Sequence, residues 1–132
     1  MIEKILRWTA IAGIFVLPFI IFIVVNSLFF PYITGKNFAF RIIVEIITGS
    51  WLALALINPE YRPKKTRLLA AFAAFVAIIA LADAAGVHPF KSFWSNYERM
   101  DGWVTLIHLF FYFLAASSVL TTKKLWRRFW LT

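Results

Sequence analysis

Residues 38–87 read FAFRIIVEIITGSWLALALI, then NPEYRPKKTR, then LLAAFAAFVAIIALADAAGV. Two apolar runs of 20 residues each flank a ten-residue segment holding two prolines and four cations. About 20 apolar residues is what an α-helix needs to cross the hydrocarbon of a bilayer. Neither run has the in-out alternation of a membrane strand. Asn58, Pro59 and Pro63 resist helix continuation, so this stretch predicts two membrane helices joined by a tight polar hairpin.

Working outward, residues 8–30 and 103–121 form two more apolar runs, of 23 and 19 residues. The first follows Lys4 and Arg7 as a secretory signal would. Its apolar stretch exceeds the roughly 7–15 residues of a signal core, and FFPYITGK after it has no small-residue cleavage site, so it reads as a retained anchor. Pro18 inside it removes one backbone hydrogen bond and bends the helix. The expected fold is therefore all-α: a polytopic membrane protein with four transmembrane helices at about 8–30, 38–57, 68–87 and 103–121. A short interfacial helix is expected before the fourth, in residues 89–100, where Phe90, Phe93, Trp94 and Tyr97 fall on one helical face. It should lie along the membrane surface and cap the bundle.

Composition agrees. Of 132 residues, 62% are hydrophobic and only 15% charged, against about one quarter charged in soluble domains. With no cysteine, disulfides and thiolate chemistry are excluded. The net charge of +8 raises the question of nucleic acid, but the cations sit at the ends of apolar runs, which points to the bilayer instead and to no nucleic-acid partner. Lys4, Arg7, Arg62, Lys64, Lys65, Arg67, Lys123, Lys124, Arg127 and Arg128 fall on one side, and Lys36, Lys91 and Arg99 on the other. The positive-inside rule then places both termini and the 58–67 hairpin in the cytoplasm. Trp8, Tyr32, Trp94, Tyr97, Trp103, Trp126 and Trp130 recur near the run ends, as rings at headgroup depth do.

Ionisable groups inside membrane spans are costly and are functional or paired. Glu45, Asp83 and His108 are the intramembrane polar residues of interest, all toward the outer side, and Arg41 shares a helix face with Glu45. Two readings compete for this outer cluster. In one, Arg41 pairs with Glu45 or Asp83 and His108 bonds a neighbouring helix. In the other, Lys36, Arg41 and Arg99 hold an anionic headgroup or pyrophosphate, for which arginine offers a planar bidentate fork. No phosphate-cradling glycine loop, nucleophile elbow or HExxH pair is present. No metal, no cofactor and no catalytic residue is assigned.

The strings FPYITGKNFAFRIIVEI (30–46), NPEYRPKKTR (58–67) and above all HPFKSFWSNYERMDGWVTLIHLFFYF (88–113) resemble the N-terminal region of bacterial O-antigen ligase and polymerase membrane proteins. The resemblance covers roughly residues 28–130, with SFWSNYERMDG its most specific part. It implies a multi-pass protein of the bacterial inner membrane and an undecaprenyl-pyrophosphate-linked glycan as donor. It also implies that residues 1–132 are a single transmembrane domain forming the N-terminal fragment of a larger chain, whose catalytic loop lies beyond it. Lys36, Arg41 and Arg99 match segments able to help hold the lipid pyrophosphate. Two other classes stand beside this one. A non-enzymatic scaffold or assembly module fits the alanine-rich third run, and a small transporter fits four helices with Glu45 and Asp83.

Overall fold

The computed structural model describes residues 1–96 and 101–132. Among these residues six α-helices follow in order: α1 (Ile2–Val16), α2 (Thr34–Ile57), α3 (Arg67–Ala84), α4 (Pro89–Trp94), α5 (Trp103–Val119) and α6 (Lys123–Trp130). No strand occurs among the described residues. Ile2–Phe22, Thr34–Ile57 and Arg67–Ala84 are long and apolar enough to cross a membrane, and Trp103–Val119 is apolar but shorter.

The first apolar run departs most from expectation. Its helix occupies Ile2–Phe22, not residues 8–30. Glu3 sits in the first turn, where a negative charge complements the exposed N–H groups of a helix start. Pro18 has no N–H to give, so the α-ladder ends at Val16 and continues as a 3-10 turn, Leu17–Phe22. Such turns do not propagate far, and Ile23 is extended at φ −75°, ψ 121°. Residues 23–33 then make turns closed by Val25 N–H to the Pro31 carbonyl at 3.2 Å and Ile33 N–H to the Phe30 carbonyl at 3.1 Å. The 21 residues of Ile2–Phe22 still measure about 34 Å, because a 3-10 residue rises more than an α residue.

Helices α1, α2 and α5 form the core. Ala10, Ile11 and Ile14 of α1 meet Ile47 and Trp51 of α2 and Ala115, Ala116 and Val119 of α5. Leu17, Phe40 and Val44 continue the seam. Gly13 makes the close α1–α2 approach, since a Cβ there would lie 2.5 Å from Ile47 Cγ1. Gly13→Val is expected to destabilise the bundle by about 1–3 kcal/mol through overpacking, and Ile47→Ala to recover most of the loss. Unfolding in mixed micelles by dodecyl sulfate titration measures both, and wild-type stability of Gly13→Val alone would refute the close approach.

The 58–67 segment is not the tight hairpin that the prolines suggest. Trp51 Nε1 donates to the Tyr61 carbonyl at 2.9 Å and Arg62 Nε to the Ala55 carbonyl at 3.2 Å, which folds the first half back onto α2. Arg62 is then extended at ψ 145°, the conformation required before Pro63. The chain leaves α2, and α3 packs on α5 and α4. Phe72 meets Phe110 and Phe113 edge-on at 5.3 and 5.5 Å. Trp103 Nε1 donates to the Val76 carbonyl at 2.9 Å. Val76 is the sole buried residue described in α3, so this helix lies at the margin of the bundle.

The two ends differ. At the basic end Asn58 Nδ2 donates to Glu3 Oε1 at 3.2 Å, and α6 returns against α1 through Phe129 and Phe15, whose rings lie 5.9 Å apart. At the opposite end α4 forms the expected short helix, ended by Ser95 at φ 62°. Phe93 packs on Trp103 at 5.3 Å, while Phe90 stays exposed. Tyr97, the last member of the expected aromatic face, lies outside the described residues.

Candidate functional site

Asn37, Arg41 and Glu45 are spaced by four along α2, so they share one face. Asp101, just before α5, and Thr105 and His108 within it are spaced by four and three. The fold joins the two rows as rungs. Asn37 Nδ2 donates to Asp101 Oδ1 at 2.6 Å, Arg41 Nη2 donates to Thr105 Oγ1 at 2.8 Å, and His108 Nε2 meets Glu45 Oε1 at 3.4 Å. Partners are 64, 64 and 63 positions apart in sequence, which requires α2 and α5 to run in the same direction and in register. Packing in lipid gains little from hydrophobicity, because acyl chains are as apolar as the core, so helix pairing there rests on close packing supplemented by polar contacts such as these.

The third rung has a definite hydrogen requirement. His108 Nδ1 lies 2.6 Å from the Val104 carbonyl, which can only accept, so Nδ1 carries a hydrogen. A hydrogen bond at the opposite ring nitrogen then needs a second hydrogen, donated either by Nε2 to Glu45 or by the Glu45 carboxyl group to Nε2. The His108 side chain is 12% exposed and that of Glu45 68%, so the pair is open to its surroundings on the glutamate side. A groove of about 400 Å³ starts there, walled by Val44, Leu52 and Phe111 and holding Thr48. Arg41, by contrast, is buried at 8% exposure, and Asp101 and Glu45 supply the opposing charge around it.

Of the residues singled out in the sequence, Arg41, Glu45 and His108 are brought together. Lys36 stands half-buried in the first turn of α2, beside the first rung, with no hydrogen bond or ion pair among the described residues. Asp83 is in the last turn of α3, away from the ladder. Arg99 lies outside the described residues. Asn37 and Thr105 escaped the sequence reading. Their signal was the four-residue spacing to Arg41 and from Asp101, weak because uncharged polar residues at span ends are common. No group of three or more metal-binding side chains occurs among the described residues.

No protein-family model, curated protein or solved structure matches the chain.

Proposed function

We propose that the chain is the N-terminal membrane part of a glycan transferase of the O-antigen ligase or polymerase type, which helps hold an undecaprenyl-pyrophosphate-linked glycan and does not transfer it alone. One observation carries the reading. The three rungs tie residues 37–45 to residues 101–108, within two of the three strings that carry the resemblance to that family. Two of those strings thus meet at one site. In this reading the basic end faces the cytoplasm of a bacterial inner membrane, by the distribution of lysine and arginine. The ladder then lies on the outer side, where a lipid-linked donor is used, and Lys36 and Arg41, together with Arg99 as the resemblance implies, help hold its pyrophosphate.

Lys36→Ala is the clean probe, because Lys36 has no partner to lose among the described residues. Binding of an undecaprenyl-pyrophosphate oligosaccharide to the chain in nanodiscs should weaken by about tenfold or more, the worth of a charge-assisted contact, with unchanged thermal stability. Undiminished binding in Lys36→Ala and in Arg41→Lys overturns the reading.

A second reading, a non-enzymatic assembly module, is favoured by the marginal position of α3. Leu68, Phe75, Ile78 and Leu81 are exposed, and the alanines between them let another helix approach closely. The same nanodiscs discriminate. Under this reading Ala73→Leu with Ala77→Leu abolishes association with other helices while the lipid-linked glycan shows no binding that Lys36 controls.

A further inference from the structure

The basic end contains a second polar cavity, of about 420 Å³, distant from the ladder along α5. The 58–67 segment contributes Glu60, Arg62 and Lys64, the end of α5 contributes Ser118, the link after it Thr121, and α6 closes it with Trp126. Ser118 is the informative member. It is 6% exposed, and its Oγ has no hydrogen-bond partner among the described residues. A buried hydroxyl without a partner is unfavourable and rare, so a ligand that accepts its hydrogen would remove the penalty. Arg62 is held by its Nε bond to the Ala55 carbonyl at 3.2 Å, which orients the guanidinium and leaves its two terminal nitrogens for another acceptor. Lys64 has no partner among the described residues.

The charges select among acceptors. Two cations face one carboxylate, Glu60, so a singly charged anion balances the cavity and a dianion does not. Outside it, Lys123, Lys124, Arg127 and Arg128 on α6 are exposed and raise the local concentration of anions. The apolar side of α6, formed by Leu125, Trp126 and Phe129, packs against the core cluster of α1, α2 and α5, so α6 lies where apolar helices end and headgroups begin.

We propose that this cavity is a headgroup site for an anionic glycerophospholipid, whose phosphodiester is held by Arg62 and Lys64 and accepts a hydrogen bond from Ser118. The site does not depend on the glycan reading, since it needs only that the helices stand in a bilayer. A free phosphate presents the same oxygens, and the experiment separates the two.

Native mass spectrometry of the full chain in neutral detergent, titrated with phosphatidylglycerol, should show one retained lipid per chain. Arg62→Gln with Lys64→Gln should weaken it by tenfold or more. Ser118→Ala should weaken it several-fold with no loss of thermal stability, because the hydroxyl it removes makes no bond among the described residues. Lys123→Gln with Lys124→Gln, outside the cavity, should leave the single tight lipid in place. Equal retention by wild type and Ser118→Ala, equal retention of phosphatidylcholine, or displacement of the lipid by millimolar inorganic phosphate would each overturn the assignment. Lipid-linked glycan binding measured on the same variants reads the ladder separately.

Discussion

Arg41→Met is expected to cost about 3–5 kcal/mol of bundle stability, as removal of one member of a buried charged group does. Methionine fills a similar volume, so the loss is electrostatic and not a cavity. Asp101 and Glu45, the carboxylates around Arg41, would lose its positive charge, and Thr105 would lose the donor that reaches it at 2.8 Å. The interpretation requires non-additivity. Adding Asp101→Asn to Arg41→Met should recover a substantial part of the loss, because the neutral amide no longer needs a counter-charge and still accepts from Asn37. Dodecyl sulfate titration of wild type, both single variants and the double variant measures the coupling directly. Strictly additive losses would mean that the rungs are separate contacts and not one network.

The second large effect belongs to Gly102, which precedes the first residue of α5. A Cβ there would lie 2.6 Å from the Ser92 carbonyl oxygen and from the Phe93 carbonyl carbon, and nearer still to the Phe93 oxygen. These are backbone atoms and cannot turn aside as the Ile47 side chain can at Gly13. Gly102→Ala should therefore lift α4 from α5, separate the Phe93 and Trp103 rings, and disturb the bond from Trp103 to the Val76 carbonyl. Because that bond joins α5 to the marginal α3, the effect should reach a helix that Gly102 never touches. We expect a loss of about 1–3 kcal/mol, with faster hydrogen exchange in α4 and the first turn of α5. Wild-type exchange in both segments, together with an unchanged unfolding midpoint, would show that α4 does not rest on the backbone at Gly102.

The apolar helices were legible because their determinants are local. Twenty apolar residues, a proline pair and flanking cations act within one helix length. Even there, a single residue moved a boundary: Pro18 converts the end of the first helix to a 3-10 turn, and the apolar residues after Phe22 fold into turns although their hydropathy is that of a span. Helix α6 was missed for a related reason. KKLWRRFW is half cationic, and its apolar face meets its partner only in the fold, where Phe129 packs on Phe15 of a helix more than a hundred residues earlier. The prolines of the 58–67 segment correctly marked a break, but not that Trp51 would bind the Tyr61 carbonyl and send α3 away from α2.

Helical periodicity and hydropathy are properties of neighbouring residues, and they were enough to show which stretches are apolar helices and which polar residues share a face within each. That α2 stands beside α5, with partners 63 or 64 positions apart, and that Ser118 closes into a cavity with Arg62 and Lys64, emerged from packing between distant segments. Register between distant helices is set by how Gly13, Ile47, Trp51 and Ala115 interlock. That interlocking is a property of shapes in contact, which the order of residues along one chain does not contain.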